Sequence, residues 1–189
     1  YKRQHMNVVL IGMKHCGKST LGAALAARWG CTFYDVDPMI EATHACEHGG
    51  RLSAREILAQ FGETYFAEIE GQVVCELYMK LSRPDSPSVV ALGGRTATNE
   101  RVCELLSGLG LIVYLDVPPD ELFARVRRSG LPPFLAPDDP EGDFHALCRQ
   151  REGQYRRLAH VVVNLDGLDA DAALEALARA IEEHPYGRQ

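Results

Sequence analysis

The sequence predicts an α/β protein, a three-layer sandwich in which helices cover a central parallel sheet of about five strands. Two segments, 88–92 and 111–116, are mostly apolar and lack polar alternation, as in strands that are buried on both faces. Segments with helical spacing separate these two from other short β-prone runs at 7–11, 32–34 and 160–164. A repeated strand–helix pattern of this kind favours parallel pairing.

The composition is that of one folded domain. Hydrophobic residues make up 46% and charged residues 24% of 189 residues, which excludes a disordered, collagen-like or coiled-coil chain. A net charge of −6 argues against a protein that grips nucleic acid. No apolar run approaches the ~20 residues that a membrane helix needs. We therefore predict a single domain over residues 1–189, and a monomer without nucleic-acid or membrane partners.

Six cysteines are scattered through the chain without a C-x-x-C spacing, and no secretory signal precedes them. This pattern argues against a disulfide framework or a zinc site. It predicts reduced thiols and a cytoplasmic location. Residues 1–5, ahead of Met6, are given no role.

Capping signals and prolines predict where the helices begin. Pro38 suits the first turn of a helix for which Asp37 is the candidate cap, and Ser53-x-x-Glu56 is a capping box. The predicted helices begin after Ser19 and at Pro38, and then cover 54–61, 63–81, 100–106, 119–128, 143–157 and 170–183. The proline-rich stretch 129–142 interrupts two helices and predicts a small mobile lid.

Residues 12–19, Gly-Met-Lys-His-Cys-Gly-Lys-Ser, match the phosphate-binding pattern G-x-x-x-x-G-K-[ST] between a predicted strand and helix. In such a loop (the P-loop) backbone N–H groups surround a β-phosphate, Lys18 reaches the β- and γ-oxygens, and the Ser19 hydroxyl can ligate Mg²⁺. The alternative is a glycine turn before a helix. The predicted nucleotide-binding residues are Gly12, Met13, Lys14, His15, Cys16, Gly17, Lys18, Ser19 and Thr20.

Two aspartates follow the second predicted strand. Asp35 and Asp37 are two residues apart, so both project to one side while the backbone stays extended. Near a P-loop, one carboxylate suits a position beside Mg²⁺, and the other suits orienting an acceptor hydroxyl. For Asp37 the alternative is a helix cap, which does not exclude catalysis. Lys18, Asp35 and Asp37 are the predicted catalytic residues, and Ser19 with Asp35 the predicted metal ligands.

Gly93 and Gly94 follow the apolar run 88–92, at the end of a strand where parallel sheets bind ligands. Paired glycines let the backbone approach a small molecule closely. The alternative is a simple strand-to-helix turn. We predict that both glycines contribute to an acceptor site.

Together these motifs resemble the shikimate kinase family over about residues 6–182. The likeness is carried, in order and spacing, by the P-loop, Phe33-x-Asp35-x-Asp37, Leu92-Gly93-Gly94, the proline-bearing lid and Arg151-x-x-x-Tyr155-Arg156. It implies a P-loop kinase fold of the nucleoside-monophosphate-kinase type, which transfers the γ-phosphoryl group of MgATP to the 3-hydroxyl of shikimate in aromatic amino acid biosynthesis.

The resemblance also implies roles for particular residues. Asp37 is expected to contact the shikimate hydroxyls and Asp35 to lie near Mg²⁺. Arg151 is expected to pair with the substrate carboxylate and Arg125 to pack on adenine, roles that suit a planar guanidinium. The helical region 38–70 is expected to bind the acceptor. Without the resemblance, both arginines would be interpreted as solvated helix charges.

Three positions depart from the family pattern. Ala67 stands where an arginine usually binds the shikimate carboxylate, Arg95 stands where a third glycine is expected, and Pro132 stands where the lid usually has an arginine. The Arg95 guanidinium either enters the acceptor site and replaces the missing carboxylate partner or points to solvent. Arg127 and Arg128, just before the lid, are candidates for the lid function.

Three functions remain open on the sequence. The first is ATP-dependent phosphorylation of shikimate. The second is the same chemistry on another small hydroxylated metabolite, which the changes at Ala67 and Arg95 would permit. The third is a paralogue that binds nucleotide without catalysis, against which the intact Lys18, Ser19 and both aspartates weigh.

Overall fold

The structure is a computed structural model that describes residues 6–82, 87–132 and 135–185. Residues 1–5, and positions 133 and 134 of the predicted lid, lie outside the described residues. The elements of the described chain are β1 (Val8–Ile11), α1 (Lys18–Trp29), β2 (Thr32–Asp35), α2 (Val36–His48), α3 (Ala54–Leu81), β3 (Ser88–Ala91), a 3₁₀ turn (Thr96–Thr98), α4 (Glu100–Leu109), β4 (Leu111–Asp116), α5 (Pro119–Ser129), α6 (Pro140–Leu158), β5 (Val161–Asn164) and α7 (Ala170–Glu183).

The five strands form one parallel sheet in the order β2-β3-β1-β4-β5. Strand β1 is central, because Val8 pairs with Val89 of β3 on one side and with Leu111 of β4 on the other. All residues of β1 and β3 are buried, as apolar runs without alternation predict. The predicted α/β class, with a parallel sheet of five strands, is confirmed. The carboxyl ends of β1, β3 and β2 are neighbours, and this edge positions the site.

Helix α2 begins earlier than predicted. It starts at Val36, and Asp35 occupies the N-cap position without a side-chain cap hydrogen bond. The prediction that Asp37 is the helix cap is therefore wrong, since Asp37 lies in the first turn. Val36 is fully buried, so the chain turns into the core directly after β2. Pro38 is tolerated at the third helical position because the first N–H groups of a helix have no intrahelical partner.

Helix α3 shows why the sequence predicted two helices at this place. Ser53 and Glu56 form the predicted capping box, in which the Ser53 N–H donates to Glu56 Oε2 at 2.8 Å and the Glu56 N–H donates to Ser53 Oγ at 3.3 Å. The helical segment then breaks at Gly62, where φ is +82°. A left-handed residue of this kind favours glycine. The break separates the short helix from the long one, as predicted.

The predicted lid contains less loop than its limits of 129–142 suggest. Ser129 ends α5, and α6 begins at Pro140, three residues earlier than predicted, with Asp139 as its cap. The Asp139 carboxylate accepts the Gly142 N–H at 2.9 Å. Within the connection the Leu135 side chain is buried. All six cysteines are free thiols, and no helix in the described ranges has both the length and the apolar character to cross a membrane.

Candidate active site

The P-loop connects β1 to α1 through a backbone that requires glycine. Gly12 has φ +145° and Gly17 has φ +99°. A Cβ on Gly12 would lie 2.9 Å from the Leu115 carbonyl oxygen. Helix α1 begins at Lys18, directly after the loop, so its N-terminal N–H groups and dipole face the loop. The local structure is therefore suited to bind an anion, the role that the motif predicts for it.

Lys18 is buried, and its ammonium is held by its own loop. The Nζ atom donates to the carbonyl oxygens of Gly12 and Met13, both at 2.9 Å, and lies 3.7 Å from Cys16 Sγ. The side chain nevertheless lines an open cleft at the carboxyl ends of the strands. A phosphate bound there would offer the ammonium a charged acceptor, which forms a stronger hydrogen bond than a neutral carbonyl.

His15 is the non-glycine residue with positive φ in the described chain, at +67°. Its carbonyl accepts a hydrogen bond from Arg125 Nη1 at 2.9 Å, and its Nε2 lies 3.2 Å from Ser129 Oγ. Burial, and then the positive charge of Lys14, lower the pKa of the imidazole. A second nitrogen of Arg125 pairs with Glu121. The P-loop thus contacts Arg125 and Ser129, which lie in the last part of α5, where the predicted lid begins.

An open cleft of about 400 Å³ lies at the carboxyl ends of β1, β2 and β3. Its lining includes most of the predicted site residues: Lys14, His15, Gly17, Lys18, Ser19, Thr20, Asp35, Asp37, Gly94 and Arg125, together with Leu92. Three predicted nucleotide-site residues, Gly12, Met13 and Cys16, are buried and do not line the cleft. The carbonyls of Gly12 and Met13 instead hold the Lys18 ammonium, which also lies 3.7 Å from Cys16 Sγ.

The two aspartates meet in this cleft although the backbone between them is not extended. Asp35 ends β2 and Asp37 lies in the first turn of α2, yet both line the cleft. Burial raises the pKa of Asp37, and the negative charge of Asp35 adds to this effect while Lys18 opposes it. A carboxyl with a raised pKa in a cleft is suited to proton transfer.

The glycine pair beside Asp37 is required by packing. A Cβ on Gly93 would lie 2.7 Å from Asp37 Oδ1, and one on Gly94 would lie 3.0 Å from the Lys14 backbone nitrogen. Helix α6 holds the same loop, because Tyr155 Oη donates to the Gly94 carbonyl at 2.6 Å and Arg151 Nη1 donates to it at 3.4 Å. Tyr155 is fully buried. The sequence placed Tyr155 in a motif but assigned it no role.

Arg95 does not line the cleft in this structure. Its Nη2 pairs with Glu63 Oε1 at 2.8 Å, and Glu63 lies about one helical turn before Ala67 on α3. The hydrogen bond from Arg95 lowers the pKa of Glu63, and the positive charge of Arg151 acts in the same direction. Both arginines thus lie close enough to one carboxylate to influence it. No motif or spacing in the sequence singled out Glu63.

Glu70 is a buried carboxylate that sequence reasoning also missed. Thr96 Oγ1 donates to one of its oxygens at 2.6 Å, and Asn99 Nδ2 donates to the other at 2.9 Å. Burial raises its pKa, and the charge of Asp37 adds to that rise. The signal that could have found it is a glutamate next to the apolar stripe of Phe66, Ile69 and Val73.

A phosphate-binding loop, a helix N-terminus, a lysine and two carboxylates at one sheet edge define a P-loop phosphotransferase. A family model described as shikimate kinase matches residues 14–182. The chain is 35% identical to a shikimate kinase of Burkholderia thailandensis over 84% of its length and 80% of that protein, and 32% identical to one of Symbiobacterium thermophilum over 94% and 97%.

The fold agrees with these matches. A shikimate kinase from Acinetobacter baumannii, solved in complex with shikimate, superimposes with a TM-score of 0.77 at 29% identity, covering 94% of this chain and 92% of that one. The chain belongs to the shikimate kinase family. It is a kinase that transfers a phosphoryl group to a hydroxyl acceptor.

Proposed function

We propose that this protein transfers the γ-phosphoryl group of ATP to the 3-hydroxyl of shikimate with the help of Mg²⁺, in the cytoplasm and as a monomer. The observation that carries the proposal is that Lys18, Ser19, Asp35 and Asp37 line one cleft together with Gly94. The relative from Acinetobacter baumannii, whose structure contains shikimate, supports the choice of acceptor.

The nucleotide half of the reaction uses the P-loop. The N–H groups at the start of α1 bind the phosphates, and Lys18 leaves the Gly12 and Met13 carbonyls to contact the β- and γ-oxygens. The Ser19 hydroxyl and the Asp35 carboxylate line the cleft and are the oxygen ligands that Mg²⁺ prefers. When bound, the ion would neutralise charge on the transferring group.

Asp37 carries the acceptor half of the chemistry. Its carboxylate orients the attacking hydroxyl and accepts the proton that the hydroxyl loses as the bond to phosphorus forms and the bond to the ADP oxygen breaks. The raised pKa of Asp37 improves its strength as a base. Glycine at position 93 leaves room for this carboxylate, since any Cβ would displace it.

Arg151 and Arg95 are the proposed partners of the acceptor carboxylate, and they replace the arginine that is absent at Ala67. Arg151 is already directed at the Gly94 carbonyl, whereas Arg95 must leave Glu63 to reach the acceptor. A carboxylate removed from water needs charged, hydrogen-bonded partners. The pairing of Arg95 with Glu63 also supports the second candidate, a hydroxylated acceptor without a carboxylate.

The segment 129–142 is the proposed lid over the nucleotide site, with Arg127 and Arg128 at its start in place of the arginine expected at Pro132. The contact between Ser129 and His15 connects its first residue to the P-loop. We expect amide exchange in 129–142 to slow when MgATP and shikimate are both bound. Equal exchange with and without the ligands would show that this segment does not act as a lid.

Parallel turnover assays test the proposed function. ADP release is measured with shikimate, with neutral polyols, with other hydroxy acids and without any acceptor. Turnover that depends on shikimate supports the proposal. Turnover with a different acceptor moves the assignment to another metabolite kinase, and ATP binding without turnover in any assay identifies a non-catalytic paralogue.

A further inference from the structure

Away from the cleft, three potential metal ligands meet where the first turns of α5 and α6 approach each other. One ligand atom each from Asp120, Glu141 and His145 lies within 4.8 Å of the other two. In the described part of the chain, this is the group of three such side chains that is close enough to share an ion. Asp120 and Glu141 are exposed and therefore accessible to ions from solvent.

The ring nitrogen of His145 points to a bound ligand separately from the proximity of the three side chains. His145 Nε2 is screened from solvent and is the buried side-chain nitrogen or oxygen atom that has no hydrogen-bond partner among the described residues. Asp120 Oδ1 lies 3.1 Å away, but the contact does not meet hydrogen-bond geometry. The imidazole stands edge-on to Phe123 at 6.4 Å between ring centres. A buried polar atom without a partner is costly, so its position requires an explanation.

Two simpler explanations account for only part of this arrangement. Carboxylates in the first turn of a helix are stabilised by the helix dipole, which explains Asp120 and Glu141 but not the imidazole. A protonated His145 paired with Asp120 would direct its N–H at the carboxylate oxygen. By contrast, two atoms that bind one tetrahedral ion at about 2.0–2.2 Å lie roughly 3.3–3.6 Å apart, with the ion on the ring nitrogen's axis. The 3.1 Å between His145 Nε2 and Asp120 Oδ1 is slightly shorter, so an entering ion would require a small outward shift of the exposed Asp120 side chain.

We propose that Asp120, Glu141 and His145 bind a divalent transition-metal ion, with Zn²⁺ as the expected class, at a site separate from the Mg²⁺ site of the cleft. One imidazole and two carboxylates form a ligand set that suits Zn²⁺ or Co²⁺, whereas Mg²⁺ prefers oxygen ligands alone. A water molecule would complete the fourth position. The ion would join the starts of the two helices that flank the lid segment.

Equilibrium binding of Co²⁺ to the full chain tests the site, in excess Mg²⁺ and without nucleotide. Co²⁺ reports its ligands in the visible and near-ultraviolet spectrum, so binding to the exposed thiols of Cys46 and Cys75 is recognised by thiolate charge transfer. Zn²⁺ should displace the bound Co²⁺. We expect one equivalent bound through nitrogen and oxygen ligands, and a melting temperature that rises with the ion.

Three variants decide the outcome. His145→Ala should weaken binding at least about 100-fold, since loss of even an indirect metal partner costs 10–100-fold. Glu141→Gln, on an exposed side chain, should weaken it at least about tenfold and tests the site independently of any effect of His145→Ala on folding. His48→Ala is the matched control, because His48 has a carboxylate neighbour, Glu47 at 3.9 Å, but no third ligand among the described residues.

Unchanged affinity in both His145→Ala and Glu141→Gln would overturn the proposal. So would a wild-type protein that binds no Co²⁺ or Zn²⁺ through nitrogen and oxygen ligands. Loss of binding in His48→Ala would assign the ion to a different place and would equally refute the site.

Discussion

The nucleotide half and the acceptor half of the cleft are built by different means. In the P-loop the backbone conformation builds the site, because Gly12 and Gly17 have positive φ and main-chain carbonyls hold Lys18. In the proposed acceptor half, charge would come from long side chains beside the cleft, Arg95 on the loop after β3 and Arg151 on α6.

This difference explains why two of the three departures from the expected family pattern, at Ala67 and Arg95, concern the acceptor half. A backbone site requires certain residues at certain positions, because only glycine relieves the steric cost there. A guanidinium can reach one point in space from several positions along the chain, so Arg95 can take the place of the arginine that is absent at position 67. The residues that bind phosphate are therefore restricted in type and position, whereas the residues that bind the acceptor can differ between members of the family.

The largest effect is expected from Asp37→Asn, which acts at the boundary of the two halves. Loss of the base should lower kcat by about 10²–10⁴-fold with little change in ATP affinity, measured by steady-state ADP release. In the wild type, kcat should rise with pH through the raised pKa of Asp37, because the ionised form accepts the proton. A variant that keeps this acidic limb would assign it to another group.

The same substitution should increase stability at neutral pH. Because burial raises the folded-state pKa of Asp37, the folded protein binds more protons than the unfolded chain between the two pKa values. Wild-type stability should therefore fall as pH rises from the usual carboxyl range through the raised value, and Asp37→Asn should not lose this contribution. Urea unfolding at several pH values checks the sign. Equal pH dependence in both proteins would contradict it.

Lys18→Met should break the nucleotide half alone. We expect kcat to fall by about 10²–10³-fold with every acceptor, as for loss of one oriented charge stabiliser. The carbonyls of Gly12 and Met13 also lose their donor, so the free energy of unfolding should fall by about 1–2 kcal/mol. Thermal unfolding monitored by circular dichroism separates the two effects. Near-normal turnover would show that Lys18 does not contact the transferring group.

Gly93→Ala should damage the acceptor half through one methyl group. A Cβ at this position lies 2.7 Å from Asp37 Oδ1 and must displace the carboxylate. Misplacement on the order of 1 Å can cost about 10²-fold in kcat. Gly71→Ala in α3 is the matched control, because its Cβ meets nothing within 4 Å. Equal kcat in the two variants would show that Asp37 tolerates the shift.

The smallest effect is expected from Arg95→Gly. This variant tests most directly whether an arginine at a different position can bind the acceptor carboxylate. One charge-assisted hydrogen bond is worth about 1.5–3 kcal/mol, so the KM for shikimate should rise roughly ten- to a hundredfold while the KM for ATP stays constant. Glu63→Gln, which frees Arg95, should lower the KM for shikimate a few-fold. An unchanged shikimate KM in Arg95→Gly would leave Arg151 as the proposed carboxylate partner.

Local signals in the sequence determined the sheet, the P-loop and the start of α3. Each of these features depends on residues that are close together in the sequence, so the sequence alone predicts it. They are the apolar runs of β3 and β4, the motif that ends in Lys18 and Ser19, and the Ser53 capping box. The break at Gly62 was also readable. The start of α2 was not, because the helix begins at Val36, two residues before Pro38, and the burial of Val36 in the core is a tertiary contact.

Tertiary structure alone decided what each charged side chain faces. The sequence gives no role to Glu63, Glu70 or His145, and it leaves two orientations open for Arg95. Their partners are 26 or more positions away along the chain: Glu63 for Arg95, and Thr96 and Asn99 for Glu70. His145 likewise lies near a carboxylate 25 positions away, that of Asp120. Such contacts depend on how helices pack across the sheet edge, because hydrogen bonds and ion pairs act over a few ångströms in space whatever the separation in sequence.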